Sequence, residues 1–170
     1  LLERMDAPFL GPTAFLDDVA ADVLVVLAVG DASARERLAG ELDRRGLESP
    51  VLVHPSAVVG SLVSLGAGTV VAAHCSITTH VSIGRHVHVD RACTVGHDAV
   101  LEDFVRLNPG AVVSGAVTVR RGATLGTGAV TRQGVEIGAG TFVGAGAAVV
   151  SDLPPHVVAV GVPARPVPHG

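Results

Sequence analysis

The chain has 170 residues, a formal net charge of −4, and a composition that is 48% hydrophobic but only 2% aromatic. Acidic and basic residues are interspersed, so no basic stripe supports nucleic-acid binding, and no apolar run reaches the length of a membrane span. The scarcity of aromatic residues indicates a core too narrow for large rings.

Residues 22–30 form a continuous apolar run that ends at a glycine, which is typical of a buried parallel strand. An amphipathic helix is predicted to follow over residues 31–45. Asp31 or Ser33 can cap its start, and Gly46 can stop it.

Residues 51–53 would supply a second strand, which makes this region a βαβ unit like the second half of a small Rossmann-like domain. Residues 1–20 contain no strand followed by a Gly-rich loop. We therefore expect residues 1–52 to be a partial Rossmann-like α/β substrate-binding domain that lacks its first βα segment.

From Val53 to Val149 the sequence repeats every six residues. The first position of each hexad is aliphatic in sixteen of seventeen cases, with Thr131 as the exception, and the residue four positions later is small or modest in size. This period is the hexapeptide signature of a parallel β-helix, in which three hexads close one coil and both positions point inward. The sequence thus predicts a mainly β fold with a β-helix over residues 53–150, followed by a C-terminal strand and loop over 151–170.

This register also predicts where the side chains of two aromatic residues and two cysteines point. Phe104 and Phe142 fall outside both inward positions, so we expect them to project outward into a subunit interface or ligand groove, although a scattered exposed apolar residue is also ordinary. Cys75 and Cys93 lie one coil apart and are predicted to stack as buried free thiols. Free thiols favour a cytoplasmic location.

Histidines are frequent, so a metal site is a natural hypothesis. His74, His80 and His86 occupy the same position of successive hexads. Because successive hexads lie on different faces of the prism, one chain cannot gather these three side chains around one ion. A site shared between subunits stays open as an alternative, but no spacing demands one, and no metal site is predicted.

His97 and Asp98 stand together at a predicted turn outside the core. Gly115 lies one coil above His97 and leaves the space over the imidazole open, while His80 lies one coil below Asp98, within reach of a hydrogen bond. From these residues alone, an exposed turn histidine and a catalytic base are equally good interpretations.

The segment TVGHDAVLEDFVRLNPG, residues 94–110, resembles the active-site segment of the sugar O- and N-acyltransferases, which include sialic acid O-acetyltransferases and bacterial amino-sugar N-acetyltransferases. The loop GVPAR at 161–165 is similar to the closing loop of that family, and the resemblance extends from about Phe9 to the end of the chain. It implies a left-handed β-helix, a homotrimer, and acetyl-CoA as co-substrate in a groove between subunits. The implied acceptor is a sugar, most often a nucleotide-linked amino-sugar.

The resemblance also implies catalytic roles. His97 matches the general base that takes a proton from the acceptor amine or hydroxyl, and an imidazole, with its ordinary pKa of about 6.5, suits that task near neutral pH. Asp98 matches the acid that orients the base. A backbone N–H such as that of Gly115 would stabilise negative charge on the thioester oxygen.

The binding residues follow from the same resemblance. Acetyl-CoA contacts fall on Arg106, Thr127 and Ala145, the last of which replaces the expected glycine. Gly30 matches a contact to the nucleotide of the acceptor. Asp90 stands where the family often has Asn near the acceptor.

Two other functions are considered on the same β-helix. A serine or small-hydroxyl O-acetyltransferase would carry a helical N-terminal domain in place of the βαβ unit. A non-catalytic trimeric β-helix scaffold would not need an exposed His–Asp pair beneath a glycine.

Overall fold

The computed structural model describes residues 11–17, 20 and 22–168, most of which form a parallel β-helix. Short strands recur every six residues and assemble into three sheets that form the faces of a prism. Sheet A contains β1 (Leu52–Val53), β4 (Val70–Val71), β7 (His88–Val89), β10 (Arg106–Leu107), β13 (Thr124–Leu125), β16 (Phe142–Val143), β18 (Val158–Val160) and β19 (Arg165–Val167). Sheet B contains β2 (Val58–Val59), β5 (Ser76–Ile77), β8 (Thr94–Val95), β11 (Val112–Val113), β14 (Val130–Thr131) and β17 (Ala148–Val149). Sheet C contains β3 (Ser64–Leu65), β6 (Ser82–Ile83), β9 (Val100–Leu101), β12 (Thr118–Val119) and β15 (Glu136–Ile137).

The predicted coil of eighteen residues is confirmed by the strand register. Thr94 pairs in parallel with Val112, and backbone hydrogen bonds join each coil to the next, as from Thr94 N to Ala111 O at 3.0 Å. From Val71 to Val149 every first-position residue is buried, and so is the small residue four positions later. Val53 and Val59 are exposed because no further coil of the described chain covers this end of the prism.

The turns between sheets stack into three edges of the prism, which we name the A/B, B/C and C/A edges after the sheets they connect. Many turn residues adopt the left-handed backbone conformation, including His80 at φ 60°, Asp98 at φ 58° and Phe104 at φ 61°. Apolar side chains fill most inward positions, and the buried threonines among them (Thr69, Thr131 and Thr141) are hydrogen-bonded. The charged side chains and histidines of the β-helix therefore lie at these edges and at the outward strand positions.

The N-terminal helix is confirmed, but the strand pair predicted around it is wrong. Helix α1 (Ala32–Arg45) begins at Asp31, whose carboxylate accepts from Ala34 N at 2.7 Å, and ends at Gly46 in the left-handed conformation. Residues 22–30 form no strand. A β-ladder needs repeated backbone hydrogen bonds between two neighbouring strands. This segment makes a single backbone hydrogen bond to the chain that follows α1, from Val25 N to Glu48 O.

The strand predicted at 51–53 exists as β1, but it pairs with β4 in sheet A and so belongs to the β-helix. A short 3₁₀ helix occupies Thr13–Asp17. The rest of the predicted 1–20 segment lies largely outside the described residues. No helix in the described part of the chain is long and apolar enough to cross a membrane.

The predicted last strand is confirmed as β18. The loop expected after it is partly wrong, because β19 turns back and pairs antiparallel with β18, joining Val158 to Val167 and Val160 to Arg165. This hairpin caps sheet A at the C-terminal end of the prism.

The register makes a direct prediction at β9, where Leu101 points inward and is buried while Val100 points outward. Leu101→Asp should lower the free energy of unfolding by at least about 3 kcal/mol, because it removes apolar packing and buries an unpaired carboxylate. Val100→Asp is the matched control and should unfold like the parent chain in chemical denaturation. Equal destabilisation by both substitutions would contradict the register.

Candidate active site

The B/C edge carries a pair formed by a histidine and an aspartate, as the resemblance predicts. His97 Nδ1 lies 2.7 Å from Asp98 Oδ2, and His80 Nδ1, one coil below, lies 3.2 Å from Asp98 Oδ1. A carboxylate accepts hydrogen bonds, so each imidazole donates from Nδ1 and keeps Nε2 as an acceptor while it is neutral. Both members of the pair are about half exposed.

The electrostatics of this edge favour a charged aspartate. The hydrogen bond from His97, followed by that from His80, holds the pKa of the Asp98 carboxyl below its ordinary value. Asp98 is therefore ionised at neutral pH. A fixed carboxylate on Nδ1 orients the imidazole and stabilises the imidazolium that forms when Nε2 takes a proton.

Gly115 leaves room for the imidazole of His97. A Cβ atom built on Gly115 would lie 2.5 Å from His97 Nε2, so any side chain here would collide with the imidazole. The Gly115 N–H makes no hydrogen bond to a described residue. The arrangement thus presents a proton acceptor and a free backbone donor side by side.

A second site lies over sheet A, away from the His–Asp pair. A cavity of about 960 Å³ separates the start of α1 from the outward face of sheet A. This cavity is lined by the four residues that the family resemblance assigned to nucleotide and acetyl-CoA binding, namely Gly30, Arg106, Thr127 and Ala145. His97, Asp98 and Gly115 do not line it, because they stand on a different edge of the prism.

The outward positions of sheet A add one residue, Thr124, that the sequence analysis did not select. Arg106, Thr124 and Phe142 occupy equivalent outward positions in successive coils and together form the floor of the cavity. The eighteen-residue spacing from Arg106 to Phe142 is visible in the sequence and could have found Thr124. Phe142 is 45% exposed, in agreement with its predicted outward position.

Two arginines at the cavity, Arg121 and Arg106, differ in whether they form ion pairs. Arg121 pairs with Glu36 at 2.6 Å and with Asp103 at 3.0 Å. The Arg106 side chain packs against the backbone of Gly30, where a Cβ atom would overlap its guanidinium, and that guanidinium forms no hydrogen bond or ion pair with a described residue. Arg106 is therefore the cation available to an anionic ligand.

Asp90 lies in a smaller adjoining groove of about 260 Å³ between residues 26–28 and sheet A. Arg106 lines both this groove and the larger cavity. The structure therefore places the predicted acceptor residue next to the predicted nucleotide and cofactor residues, with Arg106 between them.

The chain is similar to solved sugar acetyltransferases. A variant of perosamine N-acetyltransferase from Caulobacter crescentus, in complex with CoA and GDP-perosamine, is 35% identical with a TM-score of 0.95, over 97% of this chain and 80% of that one. The acetyltransferase domain of PglB from Neisseria gonorrhoeae FA1090 is 33% identical with a TM-score of 0.92, over 95% of this chain and 80% of that one. The chain belongs to the hexapeptide-repeat sugar acyltransferases.

Among curated proteins, GDP-perosamine N-acetyltransferase from Escherichia coli O157:H7 is 33% identical over 91 residues, which are 54% of this chain and 41% of that protein. The chain thus matches less than half the length of this relative. No protein-family profile matches the chain. The family that the sequence resembles is confirmed, and the predicted co-substrate agrees with the CoA bound in solved relatives.

A buried arginine attaches α1 to the β-helix. Arg35 is fully buried, and its guanidinium donates to the carbonyl oxygens of Val29, Gly30, His86 and Phe104. Burial, together with the nearby charge of Arg106, lowers the pKa of Arg35 to about 10, which leaves it charged at neutral pH. Carbonyls of the N-terminal segment and of two coils thus share one cation, which fixes Gly30 at the rim of the cavity.

His88 fastens the same segment one coil below Arg106. Its Nε2 donates to the carbonyl of Leu27 at 2.9 Å. Burial, with a further contribution from the charge of Arg35, lowers the pKa of His88 to about 4. The ring is neutral near pH 7, which suits a donor buried beside two arginines.

Phe104 points outward from the prism, as predicted, but it is buried within the chain and not in an open groove. It lies outside the prism but is only 5% exposed, because α1 covers it. Its ring stacks on His86 with centroids 5.6 Å apart, and the Arg121 guanidinium lies 4.7 Å from its centre. The register correctly predicts that the Phe104 side chain points outward. Helix α1, which lies outside the repeat, covers it.

The prediction for the two cysteines can also be compared with the structure. Cys75 and Cys93 are buried and not disulfide-bonded, as predicted. Within the described residues, no group of three His, Cys, Asp or Glu side chains could hold a metal ion.

Arg35→Met should loosen the N-terminal segment, because it leaves several carbonyl oxygens without their shared donor at a cost of about 2 kcal/mol or more. Hydrogen exchange of the α1 amides should accelerate, while exchange in the β-helix core stays close to that of the parent. Arg37→Met, on the exposed side of the same helix, is the control and should leave both rates unchanged. Unaltered α1 exchange in Arg35→Met would show that this arginine does not hold the segment.

Proposed function

We propose that this protein transfers the acetyl group of acetyl-CoA to the amino group of a nucleotide-linked amino-sugar, with His97 as general base. The observation that carries this proposal is the B/C edge, where Asp98 orients His97 and Gly115 leaves Nε2 open to an acceptor. The names of the relatives, which are sugar N-acetyltransferases, favour nitrogen over oxygen as the acylated atom.

The chemistry is direct transfer. The acceptor nitrogen attacks the thioester carbonyl, a C–N bond forms, and Nε2 of His97 takes the proton that the nitrogen loses. The tetrahedral oxygen carries negative charge, which the free Gly115 N–H can stabilise. The C–S bond then breaks, and the CoA thiolate leaves with a proton returned from the imidazolium.

The acceptor and cofactor residues retain the roles implied by sequence. Arg106, as the uncommitted cation, suits a phosphate of acetyl-CoA, and Thr127 and Ala145 would contact the same cofactor from the A/B edge. Gly30 would contact the nucleotide, and Asp90 would face the sugar. Arg106 lies between the two groups, so both ligands would approach it.

A homotrimer would unite the two halves of the site. Thr127 and Ala145 stand on the A/B edge and His97 on the B/C edge, and these two edges flank sheet B. Val58 and Val130 project outward from sheet B and are 66% and 40% exposed. If sheet B faces a threefold axis, the A/B edge of one copy meets the B/C edge of the next, and a closed ring repeats this contact three times.

Neither alternative function gains a specific observation. A small-hydroxyl acetyltransferase would not explain why Gly30 and α1 are fastened above the cavity. A scaffold would not explain the oriented imidazole beneath a glycine. The cytoplasmic location stays a prediction.

The direct test is release of CoA from acetyl-CoA in the presence of nucleotide-linked amino-sugars with guanosine or uridine nucleotides, with serine and free amino-sugars in parallel. We expect turnover with at least one nucleotide-linked amine and none with serine. Turnover with serine alone would support the small-hydroxyl function. Acetyl-CoA that neither binds nor turns over would support the scaffold.

His97→Ala should reduce kcat by about 10²- to 10⁴-fold, the usual loss on removing a general base, without changing the thermal midpoint, because the side chain lies outside the core. Asp98→Asn should be milder and should largely keep acetyl-CoA affinity. Steady-state kinetics and calorimetric titration measure both effects. Parental turnover in His97→Ala would remove this histidine from the mechanism.

Val130→Asp should disrupt assembly and acetyl-CoA binding together, because it places a charge on the apolar face of sheet B and the proposed site needs two copies. Val100→Asp, on outward sheet C, is the matched control and should keep both properties. Sedimentation and calorimetric titration test the link. Monomers of Val130→Asp that bind acetyl-CoA with parental affinity would refute the shared site.

A further inference from the structure

Asp98 is held by two imidazoles. Its Oδ2 accepts from His97, and its Oδ1 accepts from His80, so each carboxylate oxygen has its own donor. His80 follows the preceding strand of sheet B and lies eighteen residues before Asp98, which puts it directly beneath the carboxylate.

The coil geometry places His80 firmly. Asp98 N donates to the carbonyl of Thr79 at 3.2 Å, and Thr79 Oγ1 donates to the carbonyl of Ser61 at 3.0 Å. His80 and Asp98 share the left-handed turn conformation, so their side chains leave the edge in parallel directions. Leu62 occupies the same position one coil lower at φ 57° and offers no polar atom. The histidine donor is thus specific to the coil beneath the His–Asp pair.

We propose that His80 is a positioning residue for the general base: by donating Nδ1–H to Oδ1, it fixes the Asp98 carboxylate so that Oδ2 remains on His97. This inference rests on the proposed role of His97. His80 itself does not touch the reacting atoms and acts only through Asp98.

A second anchor matters because Asp98 is about half exposed. A carboxylate held by one hydrogen bond at such a position can rotate toward water, and His97 then loses the acceptor that keeps its proton on Nδ1. When both carboxylate oxygens of Asp98 accept a hydrogen bond, rotation of the carboxylate would break two hydrogen bonds. The supported carboxylate is therefore preorganised, which is what a catalytic group on a surface turn requires.

Two substitutions separate loss of the donor from damage to the turn. His80→Leu removes the donor and copies the residue found at Leu62 in the same backbone conformation, so the turn should be kept. His80→Asn keeps an N–H donor close to the position of Nδ1. We expect kcat to fall about three- to tenfold in His80→Leu, the worth of one hydrogen bond, with both KM values unchanged. We expect His80→Asn to recover most of the parental rate.

A double-mutant cycle tests whether the effect passes through Asp98. If it does, His80→Leu should change kcat by less than about twofold when introduced into Asp98→Ala. An equal loss in both backgrounds would overturn the proposal, because His80 would then act independently of the carboxylate. Parental kcat in His80→Leu would overturn it as well.

A measurement without substrate separates this inference from the proposed function. Nitrogen-15 NMR of the imidazoles, with His97 identified by its absence in His97→Ala, reports which ring nitrogen carries the proton. The parent should hold the proton on Nδ1 of His97, and His80→Leu should lower that population. An unchanged population would refute the positioning role. A lowered population in a protein that transfers no acetyl group would keep it and reject the proposed function alone.

Discussion

The stacking of coils at a repeat of eighteen residues is the constraint on which the rest of the molecule depends. Each coil hydrogen-bonds to the next along three sheets, and the narrow interior admits only aliphatic and small side chains. Polar chemistry is thereby confined to the edges and the outward strand positions, where residues one coil apart lie in contact. His97 beneath Gly115, and Asp98 above His80, are brought together by this repeat alone, so the His–Asp pair is positioned without a long loop.

The same constraint separates the two halves of the proposed site. Turns of the A/B edge carry Thr127 and Ala145, while turns of the B/C edge carry His97, and a filled prism stands between them. In one copy, the cavity over sheet A reaches Thr127 and Ala145 on the A/B edge but not His97 on the B/C edge. Assembly about sheet B would provide that cleft, which is a physical reason for a catalytic solenoid to form rings.

The N-terminal segment adds what the repeat cannot supply, namely a wall over sheet A. This segment is attached through backbone carbonyls that accept hydrogen bonds. Arg35 donates to several of these carbonyls, and His88 donates to another. Buried donors of this kind are costly unless satisfied, so they favour one docked position over many. Gly30 is fixed there against Arg106, which gives the cavity a defined shape. The Arg106 guanidinium forms no ion pair with a described residue.

The β-helix, its inward register, helix α1 and the His97–Asp98 pair could be predicted from the sequence, because a six-residue period and a capped helix are local patterns. The cover over the outside of the prism could not be predicted in this way. Phe104 points outward but is buried by α1, residues 22–30 lie along sheet A without forming a strand, and Arg35, a charged residue of α1, is fully buried. These outcomes depend on contacts between segments far apart in the chain, which no local pattern encodes.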